Sequence, residues 1–474
     1  MMDDFTIGDQ FDGKKFSKPL TKKQIYLIIG IILAIVLIAI IIIIILLGSS
    51  SQNDTEKEKI GEIYCIYDIT SIKNPVSLLN DEYNKNSDFD IYINGELIKF
   101  SKQYNFKKVG KYNIKYVLYN EISMDYMFKD VSSLISVDMT SEKNAEIKSM
   151  ISAFENCENL EKFSISGFMS NSSLSKLFYK TSLKELNIEN LDTSNIQDFS
   201  YMLSFSKINS FNFSLLNTSQ SLNMSHMFDG CTSLIDIDIS NADLNQLIDI
   251  SYMFQSCYSL NFLDLSKFNT RNVKNMSGLF KDCFSLSSIE LKEFNTESAT
   301  DMSHMFDYCN SLRYLDLGSF DTKNVKNMSH MFHYCNTMYM LDISKFDTNN
   351  VEDMSGMFSY CNLLYDINLK NFKTNNVKNM KEMFLYCSSL NSIDLSSFQT
   401  DNVENMEGIF EGLGSLSSID LSKFNTEKVT DISRMFSSCG SLKEIDISNF
   451  KTSNVKKYVF IIFWLQFFSF YKCQ

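Results

Sequence analysis

His330, His333 and Cys335 stand at a spacing at which imidazole and thiolate side chains could share a zinc ion, and His226 and His304 are the other two histidines of the chain. In the slot shared by His226, His304 and His330, other repeats hold Tyr252, Gly278 and Gly356. These histidines therefore read as surface loop or helix positions, and no metal is expected from them. Gly8-Asp-Gln-Phe-Asp-Gly13-Lys14-Lys15 matches most of a phosphate-binding loop, yet Lys15 stands where the Mg²⁺-binding hydroxyl belongs and no strand precedes it. No Ser-His-Asp or Cys-His arrangement stands out, so catalysis is not expected and neither is a small-molecule substrate. The net charge of −13 argues against nucleic acid, whose phosphates need clustered Lys and Arg.

The cysteines are more regular than chemistry alone requires. Cys231, Cys257, Cys283, Cys309, Cys335, Cys361, Cys387 and Cys439 fall on one 26-residue grid, with Leu413 in the vacant slot. Stacked neighbours about 4.8 Å apart lie within disulfide range, so a ladder of bridges is conceivable. The same slot, however, holds Val131, Cys157, Thr181, Ser206 and Leu413, and a buried thiol acting as a small hydrophobe fits all of them better. Cys65 and Cys473 lie off the grid.

That grid runs through other columns. Phe228 to Phe436 follow it without a gap, as do Thr270 to Thr452, and upstream the spacing loosens through Phe128, Phe154, Phe178 and Leu203. About thirteen units occupy residues 123–457, a period that marks a solenoid. In one unit Leu286, Ile289 and Leu291 alternate with Glu290 as a short half-buried strand. In the next, Val325, Met328, Met331, Phe332 and Cys335 recur at steps of three and one, which predicts a short helix after caps at Thr322 and Asn324. Strand, turn and short helix repeat, and stacking buries a continuous core that no single unit could bury.

The recurring M-F-x-x-C-x-S-L-x-x-I-D-L-S-x-F-x-T-x-N-V-x-N-M-S, as in Met305 to Ser329 and Met331 to Ser355, resembles the BspA-type leucine-rich-repeat surface proteins of bacteria and parasitic protists. The fold this implies is an α/β solenoid, a leucine-rich-repeat-like right-handed superhelix of about 13 strand–turn–short-helix units. The role it implies is attachment to host proteins and other cells, without catalysis.

Ahead of the repeats, Ile25 to Leu47 form 23 uncharged residues, enough to span a bilayer as an uncleaved anchor. Lys14, Lys15, Lys18, Lys22 and Lys23 precede it, while Lys57 and Lys59 follow among acids, so the N-terminus is expected in the cytoplasm. The organisation is then a cytoplasmic tail (1–24), a transmembrane helix (25–47), a polar stalk (48–62), a small β domain or N-terminal cap (63–122), the solenoid (123–457) and a hydrophobic C-terminal tail (458–474) whose status is open. That tail reads as a cap on the open edge of the last repeat, as an erroneous gene end or as a segment that dips into a membrane.

Mid-strand and facing away from the core lie Asp238, Asp264, Glu290, Asp316, Asp342, Asn368, Asp394, Asp420 and Asp446. Unit charges about 4.8 Å apart repel by on the order of 1 kcal/mol even in water, so such a file has a cost. It reads as a solvated face, or as a site for a basic protein or for Ca²⁺, which wants roughly six to eight oxygens. Beside it Phe262, Tyr314 and Met340 occupy concave slots and are expected to contact a ligand. Sequons at Asn53, Asn171, Asn212, Asn217, Asn223, Asn275 and Asn327 fit a glycosylated surface domain, although the repeat itself reads N-M-S. The expected protein is a plasma-membrane, outward-facing binder of protein or cell-surface ligands, an adhesin. A receptor signalling through its 24-residue tail and a self-associating coat protein are the alternatives.

Overall fold

The computed structural model describes residues 21–49, 57–83, 89–170, 173–292 and 294–459. Within the first unit, Lys22–Ser49 is one 28-residue α-helix, and its Tyr26–Ile43 stretch is long and apolar enough to cross a membrane. The tail before residue 21, residues 50–56 of the stalk, Cys473 and the apolar run 460–474 lie outside the described residues, as do Asn53, Asn171 and the Gly8–Lys15 loop.

The second unit is built on an eight-stranded sheet that passes from the N-terminal region into the repeats. The strand Gly61–Ile69 pairs antiparallel with Gly110–Leu118 on one side and with Leu134–Ser149 on the other, with Tyr64 opposite Asp138. Alternation decides its two faces: Ile63, Cys65, Tyr67 and Ile69 are buried, while Tyr64 and Ile66 are exposed. Beyond it every pairing is parallel, Leu134–Ser149 with Lys162–Ser170 and that with Glu185–Asp192. Residues 61–118 thus cover the strand edge at which the repeats begin, an edge otherwise open to unwanted pairing. Buried Tyr67 and Tyr116 secure this cap, their hydroxyls 3.0 Å apart and each donating to the Leu78 carbonyl at 2.8 and 2.9 Å.

Further along, the strands shorten to two or three residues, as in Phe262–Asp264 beside Ser288–Glu290 and Met340–Leu341 beside Asp366–Ile367. A second file of parallel bridges runs from Ser173 and Asp198 through Asn275, Asp301, Asn327 and Asp353 to Lys457, one residue per coil. The core between the two files is a set of ladders. Phe228, Phe254, Phe280, Phe306, Phe332, Phe358, Phe384, Phe410 and Phe436 stack with ring centroids 5.5–6.2 Å apart. Each such stacked contact adds about 0.5–1.5 kcal/mol to the burial of the ring. Thr296 closes one corner, its hydroxyl accepting from the Asp321 N–H and donating to the Asp321 carbonyl, both at 2.8 Å. The threonines from Thr322 to Thr426 donate to the next coil in the same way.

One expected element is absent. Val325, Met328, Met331, Phe332 and Cys335 are all fully buried, as their spacing requires, but the described repeats contain no α-helix, only a 3-10 turn at Phe213–Leu215. The segment is a run of reverse turns. The N–H groups of Met331, His333 and Cys335 bond back three residues, while those of Met328, His330, Phe332 and Tyr334 reach the carbonyls of Asp353, Ser355, Met357 and Ser359 in the next coil. His330 and Tyr334 both have φ of 55°, the sign that the third residue of a type II turn demands. A helix would spend those alternate N–H groups internally, and one or two turns repay nucleation poorly. The coil-to-coil bonds win because they extend along the whole stack.

Candidate ligand-binding face

The exposed side of the strand file carries the residues expected to meet a ligand. Phe262, Tyr314 and Met340 are 56%, 67% and 48% exposed, although the strand residues that follow them, Leu263, Leu315 and Leu341, are buried. The structure brings Tyr339 and Tyr365 to the same face, 46% and 45% exposed, together with Arg313. These three were missed because the expected alternation would turn the residue after each leading Leu or Met inward. In fact two successive residues point out before the first buried strand position. Between the rings, Ser287 and Ser288 leave a depression of about 700 Å³, rimmed by Glu290, Lys292, Arg313, Tyr314 and Lys345.

The acidic file has a local cause. Asp238, Asp264, Asp316, Asp342, Asp394, Asp420 and Asp446 each accept the backbone N–H two residues on at 2.9–3.0 Å, and Asn368 does so at 3.2 Å. This is an Asx turn that ends each strand and starts the corner, a task any Asp or Asn performs. Glu290 also stands exposed in the file. The hydroxyl and then the N–H of Ser266 lower the Asp264 pKa, and Ser344 lowers that of Asp342. Ser396 and Ser422 act likewise on Asp394 and Asp420, and Lys267, Lys345, Lys370 and Lys423 add a smaller lowering to Asp264, Asp342, Asp394 and Asp420. No group of three or more His, Cys, Asp or Glu side chains suited to a metal ion occurs among the described residues.

The remaining marked residues sit elsewhere. The described cysteines are free and buried; each grid thiol from Cys257 to Cys439 donates to a Phe carbonyl of the preceding coil, and burial pushes the Cys283 and Cys361 thiols up to about 12. Asn275 and Asn327 are partly buried, their amides donating to Asp249 and Asp301, so both sequon side chains belong to an alternating Asp–Asn file. Asn223 stands in that file too, with its Oδ1 on the Ser225 N–H, whereas Asn212 and Asn217 are exposed.

The histidines stand on the reverse turns, not in helices, and are half-buried instead of exposed. Asp307, 1% exposed, accepts from Lys281 Nζ at 2.6 Å and lies 2.8 Å from His304 Nδ1 and 2.7 Å from His333 Nδ1. Burial would raise its carboxyl, but the hydrogen bonds of His304, His333 and Lys281 outweigh it and hold the group well below the carboxylate range. Farther on, Arg434 joins Glu382, Glu407 and Glu411 at 2.8–2.9 Å. Both clusters gather residues from successive coils, and only the 26-residue register could have hinted at them.

Two family models match the chain, one of them a leucine-rich-repeat model in keeping with this architecture. A family model described as Mycoplasma protein of unknown function, DUF285, matches residues 172–288, 248–366, 285–391, 332–419 and 361–466, more than half of the chain. The model for the BspA type leucine rich repeat region matches residues 87–203. No curated protein matches. Among solved structures, a leucine-rich repeat protein from Bacteroides ovatus ATCC 8483 is 17% identical with a TM-score of 0.45, over 77% of this chain and 94% of that one. One from Eubacterium ventriosum ATCC 27560 is 13% identical with a TM-score of 0.34, over 71% and 91%. Leucine-rich-repeat scaffolds of this kind are typically non-enzymatic and mediate protein interactions at surfaces. The chain is a BspA-like leucine-rich-repeat protein and belongs to the family described as Mycoplasma protein of unknown function, DUF285.

Proposed function

We propose that this protein is a membrane-anchored adhesin whose strand face binds a protein on another cell or on a host. The observation that carries the reading is the run of exposed rings and thioether formed by Phe262, Tyr314, Tyr339, Met340 and Tyr365 on one face of a sheet. Large apolar side chains held in water at such positions are what interface anchors are made of, and Tyr and Arg are prominent among them. The Ser287–Ser288 depression supplies a seat for one partner side chain between Phe262 and Tyr314. Asp264, Glu290, Asp316, Asp342, Asn368, Asp394 and Asp420 form the polar flank, where basic groups of the partner would sit. Anchoring is assigned to the apolar helix Lys22–Ser49, with the lysines before it on the cytoplasmic side.

Two experiments test this. A tag inserted after Val455 should be reached by antibody on intact cells; staining only after permeabilisation would remove the surface assignment. The combined Phe262→Ala, Tyr314→Ala and Met340→Ala variant should lose attachment with its melting temperature unchanged, and undiminished attachment would sink the assigned face.

A further inference from the structure

Two imidazoles and one ammonium converge on the buried carboxylate of Asp307, and a third imidazole, His330, stands beside them. His304 and His333 hold its two oxygens, and Lys281 is already a cation there. His330 has no share in it: its ring stacks on His304 at 4.8 Å, lies edge-on to His333 at 5.0 Å, and leaves Nδ1 buried without a hydrogen-bond partner among the described residues. The other groups facing the cluster offer little relief. Tyr308, Tyr334 and Tyr360 surround His333 as rings that carry no charge in acid. Asp282, from the coil before, is half-buried and its carboxyl is shifted up, chiefly by burial, so acid neutralises it early. Asp353, from the coil after, is occupied by the Ser355 N–H and by the Asn379 amide. Histidine is the side chain that gains charge between pH 8 and 5. Acidification therefore presses a proton onto His330, which lacks a carboxylate of its own in a cluster whose one secure anion is already paired with Lys281.

In a solenoid each coil is held mainly by its two neighbours, so repulsion at one interface loosens that interface and leaves distant ones intact. The coils concerned are those whose strand side bears Ser288, Tyr314 and Met340. We infer that the Asp307 histidine cluster is an acid-operated release, which loosens these coils below neutral pH and so disassembles the ligand-binding face. The inference rests on the binding role assigned to that face. His330 carries the sign. Burial first, then His304 and His333, push its pKa down from 6.5 to about 4. An opened coil thus takes up a proton that the closed coil refuses, and stability falls as pH drops from 6.5 towards 4.

The test is hydrogen exchange of the full chain in detergent micelles at pH 7.5 and 5.0, corrected for the intrinsic pH dependence. Amides of residues 302–335 should lose about tenfold more protection in acid than those of residues 380–412. His330→Tyr copies Tyr252, which occupies the same column over Gly278 as His330 does over Gly356, and should remove the difference. His330→Asn, which also tolerates positive φ, is read in parallel. Equal loosening of both segments, or a pH response that survives in both variants, would overturn the inference. Because this readout needs no ligand, its failure is separable from failure of the binding face, which the triple alanine variant tests alone.

Discussion

The Cys335 thiol donates to the Phe306 carbonyl, one coil back, at 3.2 Å, and Phe306 is itself stacked on Phe332 at 5.6 Å. The same carbonyl also receives the Cys309 N–H at 3.1 Å. The thiol thus fills a small core slot and supplies a second donor to a buried oxygen. Cys335→Ala should cost about 1–3 kcal/mol, from a cavity and a lost weak donor, as read by denaturant unfolding. A maleimide reagent should label Cys335 only after unfolding, since burial raises its pKa well above the thiol range; rapid labelling of the native chain would contradict the packing.

Asp342 caps the Ser344 N–H at 3.0 Å, and Asn368 performs the equivalent task in the next coil with an amide oxygen. Asp342→Asn should therefore leave stability within about 0.5 kcal/mol of the parent, whereas Asp342→Ala should cost on the order of 1 kcal/mol. Thermal melts of the two variants decide it. A melting temperature that falls on adding a chelator would instead reveal Ca²⁺ on the acidic file.

Asp307→Asn should be among the most damaging single changes in the solenoid, about 3 kcal/mol, because Lys281 would lose its buried counter-charge and His304 and His333 the carboxylate they share. The wild-type carboxyl is held below its ordinary 3.8, so its contribution is complete above that pH and declines as pH falls further. The stability gap between wild type and variant, followed by chemical denaturation, should hence stay wide from pH 7 down to about pH 4 and begin to close only below it.

Arg434→Met should leave Glu411 without its cation and Glu382 and Glu407 with Lys381 alone. Burial already raises the Glu411 carboxyl, and losing Arg434 raises it further. A carboxyl with a raised folded pKa is stabilised by protonation, so the variant should gain stability as pH falls from 7 to 5. At neutral pH it should lose roughly 1–3 kcal/mol, discounted for the partial exposure of the arginine. Melting curves at the two pH values measure both effects.

Much of the fold was legible in the residues alone. A 26-residue repeat is its own alignment, so the Phe, Cys and Thr columns declared themselves as core positions, and the alternation in Leu286–Leu291 marked a strand with Glu290 outward. Phe262, Tyr314 and Met340 could be placed on an exposed face for the same reason, since stacking carries each column onto one line. The tertiary structure decided what local spacing cannot encode. Whether Met328–Cys335 coils as a helix or as reverse turns depends on where alternate N–H groups bond, and their partners lie 25 residues away in the next coil. The role of residues 61–118 followed from antiparallel pairing with Leu134–Ser149, a long-range choice governed by the need to cover an open edge. The charge clusters around Asp307 and Arg434 also arise only after stacking, because each joins side chains from separate coils whose meeting depends on the register between them.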